Sequence, residues 1–328
     1  MRPKVYIAWP IPREVEAYLN EHCECRKWQG TAAIGYDQLK RELQDAEGLL
    51  MGEGTIDEAM LADAPFLRVI SNMSSGYNHL DIEAMKARNV IGTNNPSISN
   101  DTVADLVMGL MLAAARNIPQ LDRYVKAGGW RHGIGEEWFG VDVHHATLGL
   151  IGMGSIGQSI AKRAKLGFGM NVLYSSRSRK PEAEQELGAV FTPLDDLLRR
   201  SDFVVVMVPL TEETKGFIDE RHFNLMKSSA VFINASRGMT VNEQALTEAM
   251  RAGKIRAAAL DVFQHEPVDP ANPLLLMDNV ITLPHVGSAT AKTRHEMAMS
   301  AARNLVIALK GEKPPNLIKE FQLGGASF

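Results

Sequence analysis

Along the first hundred residues, short runs of strand-like character take turns with stretches whose apolar positions recur every three to four residues. KVYIAW, ECRKW, GLLM, LRVISN and NVIG are the runs; REVEAYLNEH, YDQLKRELQDA, DEAMLADA and DIEAMKAR lie between them. That rhythm predicts parallel strands joined by helices. NDTVADLVMGLMLAAAR then predicts a long apolar helix opened by Asn100 or Asp101, and IPQLDRYVKAGGW a second helix stopped by a glycine pair. After a polar, glycine-bearing segment at 131–142 the alternation restarts at Thr147. Strands are predicted at about 147–151, 170–174, 189–191, 202–206, 230–234, 256–260 and 280–282. SATAKTRHEMAMSAARNLVIAL predicts a closing helix in which Met297 and Met299 fill core gaps, and GEKPPNLIKEF a tail that can return to the first domain. The expected fold class is therefore α/β, with two doubly wound, Rossmann-like parallel-sheet domains.

The second alternating unit opens with LGLIGMGSIGQSIAKRA, where Gly152, Gly154 and Gly157 follow a predicted strand and lead into a helix. In that setting G-x-G-x-x-G is a dinucleotide fingerprint. Gly152 permits the tight turn, Gly154 lets backbone approach a pyrophosphate, and Gly157 lets the helix pack on the sheet. Amides around Ser155 and Ile156 then face the pyrophosphate. An NAD-binding unit carries an acid about 20 residues further on for the adenosine ribose hydroxyls. Here VLYSSRSRK offers Ser175 and Ser176, then Arg177, Arg179 and Lys180, with no carboxylate before Glu182. A carboxylate at that corner would repel a 2′-phosphate, whereas serine hydroxyls and the Arg177 guanidinium bind one. NADP(H) is expected in preference to NAD(H).

Composition changes this picture little. The 328 residues are 45% apolar and 23% charged, ordinary globular material with room for two domains. A net charge of -4 is spread along the chain without a basic stripe or polybasic patch, which argues against nucleic-acid and membrane partners. MRPKVYIAWPIP has no sustained apolar region and no run is long enough to span a bilayer, so a cytoplasmic location is expected. Cys23 and Cys25 supply two ligands where a structural zinc site wants four, and are read as reduced thiols on a strand. His144 and His145 are read as pointing to opposite faces of an extended segment, so no metal site is expected there either.

Three further stretches, VFINASRGMTVNEQAL, AAALDVFQHEP and VITLPHVGSAT, each place polar residues just past the end of a predicted strand, where open α/β sheets bind ligands. Together they resemble the D-isomer-specific 2-hydroxyacid dehydrogenase family, and its glyoxylate/hydroxypyruvate reductase branch in particular. The resemblance extends to VISNMSSGYNHLDIEAM and DTVADLVMGLMLAAAR, and so covers nearly the whole chain. It implies reduction of a small 2-oxo acid to the D-2-hydroxy acid, which the chemistry of the residues suits. Arg237 can meet a carboxylate with two parallel hydrogen bonds. His285 can protonate the developing alkoxide, and Glu266 can hold its other ring nitrogen and favour the imidazolium. Singly, these residues have ordinary alternatives: a helix-start ion pair, a loop carboxylate and a strand-end histidine. In combination, behind a dinucleotide turn, they point to catalysis.

The resemblance implies further roles. Ser75 and Gly76 match a loop whose amides bind the substrate carboxylate, and Ser288 matches a residue beside the active site. Thr102 matches a cofactor contact on the linking helix. Gly287, Val208 and Pro209 match positions around the cofactor, with Ala235, Ser236 and Asp261 toward the nicotinamide. Asp105 and His145 depart from the pattern, standing where Glu and glycine are common. Also implied is a split layout with a cleft: a substrate-binding domain of 1–99 plus 290–328 and a dinucleotide-binding domain of 100–289. A homodimer built from the long helix and the following arm is implied too, with Trp130 and Trp138 as candidate anchors. 2-Ketogluconate stays open as a substrate, since Gly52 and Gly54 stand where relatives carry bulkier side chains. A cofactor-sensing corepressor is the alternative of another class. Formate dehydrogenation pairs the histidine with Gln rather than Glu266, and a phosphoglycerate dehydrogenase would need a further regulatory domain.

Overall fold

A computed structural model of the chain describes residues 2–30 and 33–322. Two compact units emerge, one of residues 1–99 with 289–328 and one of residues 100–288. The first holds β1 (Lys4–Ile7), α1 (Arg13–His22), β2 (Glu24–Lys27), α2 (Tyr36–Glu42), β3 (Gly48–Met51), α3 (Glu58–Ala62), β4 (Val69–Asn72), α4 (Ile82–Ala87) and β5 (Ile91–Thr93). Its parallel sheet has the order β2-β1-β3-β4-β5, so the strand order reverses between β1 and β3.

The second unit begins with α5 (Asn100–Ala115) and α6 (Ile118–Lys126). There follow β6 (Thr147–Ile151), α7 (Ser155–Phe168), β7 (Asn171–Ser175), α8 (Pro181–Leu187), β8 (Val190–Phe191), α9 (Leu194–Arg200) and β9 (Phe203–Val206). It closes with α10 (Glu220–Leu225), β10 (Val231–Asn234), α11 (Glu243–Arg251), β11 (Ala257–Leu260) and β12 (Val280–Thr282). Seven parallel strands run β12-β11-β10-β9-β6-β7-β8, with the reversal between β6 and β9. Helices α12 (Ala291–Leu309) and α13 (Lys319–Gln322) belong to the first unit.

Both sheets are covered on both faces, which is why their central strands read as unbroken apolar runs rather than alternating ones. FVVV, VFIN and AAAL are buried at every position. In the first unit Ala298, Ala301, Ala302 and Leu305 of α12 cover one face with Val5, Ile7 and Leu50, while Leu317, Ile318 and Phe321 join the cluster on the other. Leu317 also bridges Thr93 at the sheet edge. Helix starts carry the expected caps: Asp57, Asp81, Asp219, Asn242 and Thr290 each accept from an amide three residues on. Burial pushes the thiols of Cys23 and Cys25 up to about 11 and about 12, so both are neutral near pH 7. No helix is long and apolar enough to cross a membrane among the described residues.

One expectation is corrected. Residues 144–145 form a turn rather than an extended segment, because His145 takes φ +61° and its amide donates to the Phe168 carbonyl. The two imidazoles consequently meet, Nδ1 to Nδ1 at 3.0 Å, instead of facing apart. That left-handed backbone also accounts for a preference for glycine at this position.

Candidate active site

The C-terminal ends of β6 and β9 flank the strand-order reversal, the place where an open α/β sheet forms its ligand crevice. Gly152 follows β6 with φ +104°, and a β-carbon there would lie 2.4 Å from the Met207 carbonyl oxygen and 3.1 Å from Val208. At Gly157 a β-carbon would lie 2.3 Å from the Gly152 oxygen, so α7 can seat against the turn only without one. Gly154 differs from both: nothing stands within 4 Å of where its β-carbon would be. It opens α7 with no side-chain cap, which leaves the first-turn amides at Ser155 and Ile156 unclaimed by any capping group. An open, uncapped helix start of this kind fits a dinucleotide pyrophosphate.

Around it gather the other cofactor candidates. Ser155 bonds Asn100 at 3.3 Å, which brings the start of α5, and with it Thr102, beside the fingerprint. Val208 and Pro209 follow β9, Ala235 and Ser236 are buried after β10, and Asp261 is buried after β11. At the β7 corner the two arginines part company. Arg179 makes a two-point pair with Glu184, at 3.1 and 2.7 Å, and stacks over Phe191. Glu184 also accepts from Tyr174, whose oxygen in turn accepts from the Lys180 amide, so these contacts fix the loop. Arg177 is exposed and makes no hydrogen bond or ion pair among the described residues. Ser175 and Ser176 lie half-buried before it, the Ser176 hydroxyl donating to the Ser178 carbonyl at 2.6 Å.

Arg237, Glu266 and His285 come from the loops after β10, β11 and β12 and are brought together by backbone packing. A β-carbon on Gly238 would fall 1.9 Å from the Phe263 carbonyl, so the Arg237 loop lies directly on the Glu266 loop. Asn234 and Thr240 both donate to the Arg237 carbonyl and fix the loop from behind. The Glu266 carboxylate is used twice: one oxygen accepts from the Phe263 amide at 2.9 Å, the other meets His285 Nδ1 at 2.7 Å. His285 Nε2 has no partner among the described residues, and the ring is about half exposed. Burial works to raise the Glu266 pKa, but the bond to His285 and the Phe263 amide outweigh it and hold the carboxyl below its ordinary value. For Arg237, burial lowers the pKa against the opposing pull of Glu266.

His285 itself sits at φ +53°, a left-handed conformation that needs outside support. Asp261 provides it, its two oxygens accepting from the amides of Val286 at 2.7 Å and Gly287 at 2.9 Å. Burial raises the Asp261 pKa, opposed by these amides and by the His285 charge. Ser288 follows, half-buried, at the end of the unit.

In the first unit, the loop after β4 is tied down by three asparagines. Asn72 donates to the Ser74 and Gly76 carbonyls, Asn94 to that of Ser75, and Asn95 to those of Met73 and Met297. With its carbonyls held, the amides of Ser75 and Gly76 donate to nothing among the described residues. Two adjacent open amides on a fixed loop are donors of the kind an anion needs.

Comparison with known proteins decides the kinship. Residues 108–287 match the model for the D-isomer specific 2-hydroxyacid dehydrogenase, NAD binding domain. Glyoxylate/hydroxypyruvate reductase B of Serratia proteamaculans is 44% identical over 318 residues, covering 97% of this chain and 98% of that protein. The chain belongs to the D-isomer specific 2-hydroxyacid dehydrogenase family. Among solved structures, a protein from Thermus thermophilus superposes with a TM-score of 0.90 at 36% identity, covering 96% of this chain and 99% of its own. An NADPH-dependent glyoxylate/hydroxypyruvate reductase of Sinorhizobium meliloti, solved with NADP and malonate, superposes with a TM-score of 0.85 at 30% identity, each chain 98% covered.

In this dehydrogenase the two departures noted in the sequence have local explanations. Asp105 pairs with Arg163 of α7 at 2.6 Å, and Asp101 joins it at 2.9 Å, so the shorter acid suits a close α5–α7 approach. His145 belongs to the turn described above. Gly52 does not leave the gap its sequence position suggested. The Trp9 indole covers it, with ring atoms 3.1–3.4 Å from where a β-carbon would stand. Neither Trp9 nor the loop asparagines stand out in the sequence reading, although VISN and VFIN each end a buried strand on asparagine, an available signal.

Proposed function

We propose that this dehydrogenase is an NADPH-dependent reductase of small 2-oxo acids, glyoxylate and hydroxypyruvate foremost, yielding the D-2-hydroxy acid. The observation that carries the reading is His285, fixed by Glu266 through Nδ1 with Nε2 left over, next to the Arg237 loop. Arg237 grips the substrate carboxylate by its planar fork. His285 Nε2 gives its proton to the carbonyl oxygen as negative charge develops there. Glu266 keeps the ring in the orientation that aims Nε2 outward. When bound, the nicotinamide cofactor supplies the hydride. The names of the Serratia and Sinorhizobium relatives support this choice of substrate. Steady-state rates with glyoxylate, hydroxypyruvate, 2-ketogluconate and phenylpyruvate test it. The first two should give the highest kcat/KM, and a protein that turns over none of the four while capturing protein partners would be the corepressor-like alternative.

For the cofactor, Arg177 carries the 2′-phosphate together with the Ser175 and Ser176 hydroxyls, while Arg179 and Glu184 hold the loop in shape. Charge-assisted hydrogen bonds are worth about 1.5–3 kcal/mol, so Arg177→Ala should shrink the NADPH-over-NADH ratio of kcat/KM by roughly tenfold or more. Equal efficiency with both cofactors in the unmodified enzyme would refute the assignment. A homodimer belongs to the same proposal. Ile118, Val125, Ile134 and Phe139 stand exposed on α6 and the arm after it, and Trp130 is 64% exposed, whereas Trp138 packs on Tyr124 at 4.8 Å. A monomeric mass by light scattering at micromolar concentration would count against it.

A further inference from the structure

Resting on the reductase reading above, we propose that Glu243, at the start of α11, is a positioning residue for the Glu266–His285 pair: its carboxylate holds the loop that presents Glu266. Every residue involved belongs to the second unit. Glu266 sits in the long connection of residues 261–279 between β11 and β12, which contains one short helical turn, Pro273–Leu276. A connection of that kind must be tied down if it is to hold a side chain in place for chemistry. The bond from the Phe263 amide to Glu266, at 2.9 Å, lies within the loop and would travel with it. Glu243 supplies a hold from outside. Its Oε2 accepts from the Gln264 amide at 2.9 Å and its Oε1 from the Asn272 side chain at 2.8 Å, so it grips the loop on either side of Glu266.

Both ends of that grip are themselves fixed. The Asn272 oxygen accepts from the Leu274 amide at 3.0 Å, and Leu274 is fully buried in one apolar cluster with Phe263 and Val241. Glu243 follows Asn242, whose side chain caps α11 by accepting from the Ala245 amide at 3.1 Å. One helix start thereby joins the Arg237 loop, which leads into it, to the Glu266 loop, which hangs from it. The geometry needs an acceptor at both Glu243 oxygens. An ionised carboxylate is acceptor-only, whereas a glutamine side chain offers one oxygen and one NH2 group. Asn272 cannot turn its amide round to suit a glutamine, because its oxygen is committed to Leu274. Glu243→Gln therefore keeps the Gln264 bond and sets two NH2 groups against each other at Asn272. Glu243→Gln/Asn272→Asp restores a donor facing an acceptor, with the sense of the bond reversed and the net charge unchanged.

Steady-state rates with glyoxylate and NADPH test the role. Glu243→Ala should lower kcat roughly tenfold, since small misplacements of reacting groups are costly. KM should stay within about threefold, because Arg237 still holds the carboxylate. Glu243→Gln should fall in between, and the exchanged pair Glu243→Gln/Asn272→Asp should bring kcat back toward that of the unmodified enzyme. In a Glu266→Ala background, where no carboxylate is left to aim, adding Glu243→Ala should cost less than about threefold. An unchanged kcat in both single Glu243 variants, an equally large fall in the Glu266→Ala background, or an exchanged pair no better than Glu243→Gln would each overturn the role. Hydrogen exchange at the Phe263 amide, whose acceptor is Glu266 and not Glu243, reads the placement without turnover. Glu243→Ala should speed that exchange roughly tenfold or more. An unchanged exchange rate overturns the role of Glu243 whatever the substrate, whereas an unmodified protein that reduces no 2-oxo acid overturns the reductase reading and leaves the exchange result to decide on Glu243.

Discussion

His285→Ala should lower kcat about 10²-fold or more with glyoxylate and NADPH, while KM changes much less, because general-acid assistance typically contributes 10²–10⁴-fold. The split between kcat and KM follows from the proposed division of labour, since Arg237 holds the carboxylate and His285 acts only as charge grows on the carbonyl oxygen. Backbone strain does not confound the experiment. His285 is at φ +53°, a conformation that alanine adopts at a modest extra cost, and the Asp261 clamp on the next two amides remains. His285→Asn is the matched control, because asparagine tolerates the left-handed region and carries no titratable proton. Its kcat should fall as far as that of the alanine variant. A kcat within threefold of the unmodified enzyme in either variant would remove His285 from the chemistry.

Much of the fold was legible because its central strands are buried on both faces, which writes them into the chain as uninterrupted apolar runs. FVVV, VFIN and AAAL carry that signal without ambiguity. The fingerprint was legible for a different reason. Gly152 and Gly157 are excluded from having side chains by contacts within the strand–turn–helix itself and with the neighbouring strand end, so local spacing suffices to find them. The loops bearing Arg237, Glu266 and His285 follow consecutive strands of one sheet, and a sheet gathers its strand ends on one side. What escaped depends on partners distant in sequence or on one unusual torsion. Nothing around Gly52 announces that Trp9, from another strand, covers it. The basic corner similarly hid a division between Arg177 and Arg179, which is decided by Glu184 on the next helix. At His144 and His145 a single positive φ turned a pair expected to diverge into one whose rings touch.

Arg237→Ala should be at least as damaging as loss of the histidine, but with a different kinetic signature. Truncating one partner of a desolvated, hydrogen-bonded charge pair costs about 2–5 kcal/mol, which corresponds to a fall in kcat/KM of roughly 30-fold to several thousandfold. Much of it should appear in KM, because the carboxylate is bound alike in the ground state and the transition state. Some should appear in kcat, since a substrate held at one end only is poorly aligned for reaction. Arg237→Lys separates charge from shape. Lysine restores the cation but not the two-point fork, so kcat/KM should recover only in part. Burial already lowers the pKa of this arginine, which stays charged across the working range because its starting value is so high. An ammonium in the same place begins about two units lower and loses its proton more readily. The lysine variant should therefore lose activity as the solution is made alkaline, at pH values where the unmodified enzyme still binds its substrate through Arg237. Glu266, whose charge opposes that loss, softens the decline without abolishing it. Alanine and lysine variants that both retain kcat/KM within threefold, with unchanged pH profiles, would place the substrate carboxylate elsewhere.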